Sequence, residues 1–330
     1  MKKSHTLWML LLLCFFARTA ISQISGKYYG EKEDFKKMAK RTLLVETLEE
    51  DPDVIKRLSK KESRAQQLMD YKNFIVQYNQ LIKLCVPKYW TYNANIEYKT
   101  ETEIKALRKA NSEKYVVLEY FELTDTEVDF FERSSLTVPA LRYTRIEQPL
   151  RKPDYKIYLP SSYVRTGNAY LEADFKVALE GMQDNINYVI KNDKTLHFTD
   201  FSEKESEKNC SRLKSLTLMI EKSFLYKKTT AEEAQAAYGA KIEWVEEADL
   251  NKDVVGKTKG KAALFSIPYA LAKGGIGPVS TSSLGFFKII VDCETGDILW
   301  TNNPGNMPIG KNIGPMLIEK EFKNMGECKF

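Results

Sequence analysis

The sequence predicts an α/β (α+β) protein made of two tandem copies of one domain. Each copy has the order β-α-β-α-β-β-β-α, with helices packed on a mixed sheet. Two observations carry this reading. The stretch Tyr92 to Ile104, YNANIEYKTETEI, returns as Tyr238 to Leu250, YGAKIEWVEEADL, with five of thirteen positions identical. Ordinary composition gives roughly one match in such a window. The order of hydrophobic periodicities also restarts after Asn192.

Taken in order, Gln23 to Lys40 is a polar lead-in or short helix. Thr42 to Val45 is a β-type run. Asp51-Pro52 supplies an N-cap and a proline at the first helical position. Val54, Ile55, Leu58, Ala65, Leu68, Met69, Ile75, Val76 and Ile82 then follow at helical spacing, as one long helix or two, ended by Pro87. Asn95 to Tyr98 reads as a strand and Thr102 to Ala110 as a short helix with Ile104 and Leu107 inward. Tyr115 to Tyr120, Ala140 to Glu147 and Tyr155 to Leu159 read as strands. Leu171, Phe175, Leu179, Met182, Ile186 and Val189 mark an amphipathic helix.

The charged stretch 193–212 reads as a junction. Leu216 to Ile220 is a strand. Thr230 and Glu233 fit a capping box, in which each side chain bonds the other's backbone amide. Gly239 suits the end of that helix. Lys241 to Val245 is a strand, Asp249 to Val255 a helix and Ala262 to Ile267 a strand. Phe286 to Asp292 and Asp297 to Thr301 form a hairpin around Glu294-Thr295-Gly296. A last helix is expected near Ile313 to Met325. The expected units are residues 41–192, with a helical insertion of roughly thirty residues, and residues 213–330.

The first 22 residues read as a secretory signal peptide. Lys2 and Lys3 precede an apolar run from Leu7 to Phe16, and small residues follow, with cleavage expected after Ser22. The run is too short to span a bilayer, and no later stretch is long and apolar enough to do so. The expected location is therefore beyond the inner membrane, in the periplasm, at the outer membrane or outside the cell. The formal charge is +5. Lys2, Lys3 and Arg18 lie in the leader, so the rest is nearly balanced and gives no electrostatic case for nucleic acid. Cys85, Cys210, Cys293 and Cys328 allow three full pairings, and one bridge in the second half with Cys85 reduced fits equally.

The phrase Lys288-Ile289-Ile290-Val291-Asp292-Cys293-Glu294-Thr295-Gly296-Asp297-Ile298-Leu299-Trp300 is similar to a hairpin in periplasmic domains of the curli secretion lipoprotein family. The N-terminal domain of the Tol–Pal propeller protein has a related fold. Pro87 to Trp90 with Asn95 to Tyr98 resembles uncharacterised exported proteins of Bacteroidetes-type bacteria. The resemblance implies the soluble domain alone. No lipobox surrounds Cys14. The stretches 123–139 and 271–285, where that family inserts barrel hairpins, read as too short for paired strands of about nine to eleven residues.

No motif specifies chemistry. Gly256-Lys257-Thr258 lacks the earlier glycine and the following helix of a phosphate loop. Glu97/Glu243 and Glu101/Glu247 read as a solvent face. No close cysteine pair or alternating acidic loop suggests a metal, and no cofactor is expected. The expected function is an exported envelope protein, not an enzyme, that binds or scaffolds an envelope partner or its own copies. Its candidate contact residues are the aromatics Tyr89 and Trp90 and the glycines Gly274, Gly275 and Gly277, in a loop between strands. The alternatives are a secreted enzyme using scattered carboxylates or a Cys–His pair with His197, and a glycan binder.

Overall fold

The computed structural model describes residues 30–110, 113–126, 135–148, 153–160, 170–276, 279–302 and 314–330. The expected leader, the lead-in up to Tyr29 and Gly277 lie outside them.

Helix α1 (Lys32–Met38) buries Phe35 and Met38 completely. Arg145 holds it to the sheet by bonding Asp34 at 2.5 Å and Asp154 at 2.8 Å. Strand β1 (Thr42–Thr47) leads to α2 (Pro52–Leu58), capped by Asp51, whose side chain accepts from Asp53 N at 2.8 Å. A 3-10 turn (Glu62–Arg64) joins it to α3 (Ala65–Tyr89). Pro87 does not end α3 but lies inside its last turn. It can donate no bond to the Lys83 carbonyl, which accepts from the Tyr98 hydroxyl at 3.4 Å instead.

Strand β2 (Ile96–Thr100), α4 (Glu101–Lys109), β3 (Tyr115–Thr126), β4 (Ser135–Arg145), β5 (Tyr155–Tyr158) and α5 (Glu172–Asn192) complete the first repeat. The sheet order is β2-β1-β3-β4-β5, parallel across β2, β1 and β3 and antiparallel beyond.

The expected junction folds as helix α6 (Phe198–Asn209) and a 3-10 turn through Ser215. Phe198, Phe201, Ser202 and Ser206 form its buried face. The two serines donate to the carbonyls of Phe198 and Ser202, both at 2.7 Å, so they carry no unpaired hydroxyl inward. The second repeat is β6 (Thr217–Glu221), α7 (Ala231–Tyr238), β7 (Ile242–Val245), α8 (Glu247–Val255), β8 (Lys261–Ile276), β9 (Val279–Asp292), β10 (Ile298–Thr301) and α9 (Glu319–Gly326). Its sheet order, β7-β6-β8-β9-β10, reproduces the first. The duplicated phrase is the second strand and the next helix of each copy. Ile96 pairs with Leu43 where Ile242 pairs with Leu218.

Helix α5 is buried on most of its surface because it lies between the repeats. Its central core joins Leu43, Val45 and Ile82 of the first repeat to Met219, Val254, Phe265 and Ile289 of the second. The opposite face of the second sheet packs Leu218, Ile220 and Trp300 on Phe322 and Met325 of α9. A small cluster of Leu44, Ile104, Val117 and Ile146 lies under α4. The repeats therefore stack head to tail: the α8 side of the second sheet meets the α5 side of the first.

Candidate functional site

The backbone feature that stands apart from both sheets is a pair of long hairpins. Strand β3 pairs with β1 only from Tyr115 to Leu118, yet its ladder with β4 continues to Thr126↔Ser135. Strand β8 pairs with β6 only from Lys261 to Ala263, yet its ladder with β9 continues to Ile276↔Val279. The strands of this second hairpin have 16 and 14 residues. The expected loop at 271–285 is thus a hairpin: Gly274 pairs with Thr281 and Gly275 with Ser280. Inside 123–139 the strand residues are 123–126 and 135–139, and inside 271–285 they are 271–276 and 279–285; the strands are long because each runs on from its sheet. Gly, Ser and Pro read as loop residues, but cross-strand bonding overrides their low strand propensity. Between Lys261 and Lys288 the only charged residue is Lys273, in a chain whose average is 29% charged. A strand beyond its sheet neighbours presents unpaired N–H and C=O groups, a template for another chain.

The aromatic candidates lie elsewhere, inside the core. Trp90 and Tyr89 are 2% and 5% exposed, so neither ring is available to a partner. Trp90 Nε1 and the Tyr143 hydroxyl both donate to Asn93 Oδ1 at 3.0 Å. The Asn93 amide donates to the carbonyls of Met38 and Arg41. The Tyr89 hydroxyl donates to Glu172 at 2.6 Å, beside the Lys88 ammonium, and so pins the end of α3 to the start of α5. Trp244 packs edge-on against Phe322.

A cleft of about 410 Å³ opens between α5, α6 and strands β9 and β10, within the size range of small-ligand sites. Val177, Phe198, Phe201 and Ile289 give it an apolar floor. Its rim charges are mostly paired: Lys176 with Glu180 at 2.6 Å, Lys208 with Glu205, and Asp297 with Arg212 at 2.6 Å. Asp184 has no such partner among the described residues. The protein mass around it, then the charges of Glu180, Asp297 and Glu205, push its carboxyl up to about 6 although it still reaches solvent.

A second charged group lies where β3 leaves β1. Glu119 is 4% exposed and is bonded by Arg108 of α4 and by Arg142 of β4, the latter at 2.6 Å. Glu46 accepts from Tyr120 N at 3.0 Å, which adds one side-chain bond beyond the last β1–β3 pair. Burial, then the nearby Glu119 carboxylate, push the Glu46 carboxyl up to about 8.

Cys210 and Cys328 form a disulfide, which ties the start of the second repeat to the chain's last residues. Cys85 and Cys293 are reduced and buried, and burial pushes both thiols up to about 12. A nucleophilic thiolate needs the opposite shift. His197 sits at the N-cap of α6, where burial lowers its pKa. Glu243 pairs with Lys261 at 3.2 Å and Glu97 with Lys99 at 3.8 Å, as a solvent face should. Among the described residues no cluster of His, Cys, Asp and Glu could hold a metal ion, and no helix is long and apolar enough to cross a membrane.

No protein-family model, no curated protein and no solved structure matches this chain.

Proposed function

We propose that the chain is an exported envelope scaffold that makes its contacts through the β8–β9 hairpin rather than by catalysis. The observation that carries this reading is the part of β8 from Leu264 to Ile276, which has left β6 and remains paired only with β9. Strand addition to such an edge uses main-chain bonds and so needs no side-chain motif. Export is supported by the leader-like first residues and by the Cys210–Cys328 disulfide, which suits an oxidising compartment. The stacked repeats give the hairpin a rigid base.

Light scattering on the purified chain without its first 22 residues tests the assembly form of this reading. A mass several times that of one chain is expected, falling to one chain when residues 270–284 are replaced by a two-residue turn. A single-chain mass for the intact protein would overturn assembly between copies.

A second reading follows from strand length. Strands of 16 and 14 residues exceed the roughly nine to eleven that a membrane-spanning β-strand needs. Hairpins from several copies would then close a barrel, and the assembly would form only in detergent or lipid.

A further inference from the structure

The first repeat carries a segment for which the second has no counterpart. From Pro52 to Phe74, through α2, the 3-10 turn and the first turns of α3, no residue is buried. Such an addition contributes little to the core. Between Lys56 and Arg64 its composition is one-sided, with five cations, Lys56, Arg57, Lys60, Lys61 and Arg64, against one acid, Glu62; Asp53, Asp70 and Lys72 complete the charges from Pro52 to Phe74. The four at positions 56, 57, 60 and 61 are exposed, and none of the five forms an ion pair among the described residues. Arg64 bonds only the Arg57 carbonyl, at 3.3 Å. Elsewhere exposed lysines do find carboxylates, as Lys36, Lys105 and Lys222 do.

Helix α3, which this segment opens, carries the large exposed hydrophobics of the described residues. Met69, Val76 and Leu84 are 54%, 53% and 51% exposed. Their spacing of seven and eight residues places them in one row along the outer face of α3. Asn73 and Gln80 fall between them, so the row is a set of single apolar groups and not a continuous patch.

We propose that the outer face of α2 and α3 docks on the surface of an anionic lipid bilayer. The five cations meet headgroup phosphates, and Met69, Val76 and Leu84 enter the boundary between headgroups and acyl chains. Basic groups beside a row of apolar side chains are what binding in the plane of such an interface requires. A fluid interface accepts separated apolar groups, whereas a fixed protein groove would need a contiguous set. This inference is independent of the hairpin reading.

The test is co-sedimentation with vesicles of phosphatidylcholine alone and of phosphatidylcholine with phosphatidylglycerol. The intact chain is expected to pellet only with the anionic vesicles, and less so as salt screens the attraction. The K56E/R57E/K60E/K61E variant should lose binding by about tenfold or more. The V76S/L84S variant should bind at low salt and release earlier as salt rises. All six positions are exposed, so circular dichroism should show both variants folded. No binding of the intact chain to anionic vesicles, equal binding to both vesicle types, or full binding by the charge-reversed variant would each overturn the proposal. The hairpin-shortened chain should bind as the intact one does. Loss of binding there, with full binding by the charge-reversed variant, would assign the lipid contact to the hairpin.

Discussion

Glu119 and Phe265 occupy the same position in the two sheets. Each stands three residues beyond the residue, Val116 or Ala262, that pairs with Leu43 or Leu218. By the same register Arg142 corresponds to Ile289, Lys99 to Val245 and Arg108 to Val254. In the second repeat these residues are apolar and pack against the first repeat in the central core. In the first repeat the equivalent face meets no other repeat among the described residues, and Glu119, Arg108 and Arg142 cover it as an ion network. A charged face of this kind offers another repeat no apolar surface to stack on.

That relationship sets the effect of breaking the network. Glu119→Ala leaves two partly buried guanidinium groups without their acid and should cost about 3 kcal/mol, read from urea unfolding. The triple change R108V/E119F/R142I copies the second repeat. It should restore most of that stability but make the protein associate as its concentration rises, seen by light scattering.

Glu46 sets a pH dependence. Its folded pKa of about 8 lies above the unfolded value near 4.5, so the folded state holds the extra proton between those limits. Its contribution to stability is full below about pH 4.5 and is lost as pH rises through about 8. Glu46→Gln keeps an acceptor for Tyr120 N without titrating. The urea midpoint of the intact protein should therefore fall more than that of the variant between pH 5 and pH 8. Parallel curves would show that Glu46 is ionised throughout.

Thiol counting tests the cysteine assignment. In the chain without its first 22 residues, no thiol should react before unfolding, and two, Cys85 and Cys293, should react in denaturant. The double variant C210S/C328S should lose about 2–4 kcal/mol, because the bridge closes a loop of more than a hundred residues.

Lys288 is 2% exposed and donates to Glu321 Oε1 and to the Met316 carbonyl, both at 2.6 Å. Glu321 also accepts from Ile318 N at the start of α9. Glu321→Ala removes the counter-charge and the cap together and should cost about 3 kcal/mol or more in unfolding experiments. Replacing both residues, K288M/E321L, should cost less than the single change.

The repeat was legible because its elements alternate between period 2 and period 3.6, and because the second strand kept its sequence in both copies. The Thr230–Glu233 box formed as read, with bonds of 2.8 and 3.1 Å. Helix α6 was not legible, since its inward face includes Ser202 and Ser206, whose hydroxyls are satisfied locally and so pass for surface. The length of the β8–β9 hairpin was hidden by Gly274, Gly275, Pro278 and the serines at positions 280, 282 and 283, which are turn residues by composition. The burial of Trp90 follows from Asn93, a polar residue three positions away that serves its indole N–H from within the core. A single sequence does not announce such a partner.

The most direct test of the hairpin as the contact element is photo-crosslinking in intact cells. A photoreactive residue would replace Ser280, in the hairpin, or Lys228, an exposed lysine outside the named strands and helices of the second repeat. The expected result is a discrete heavier product from position 280 and none from position 228, whether the partner is another copy or a different envelope protein. Products absent from both positions, or equal from both, would contradict the assignment of the contact to β8–β9.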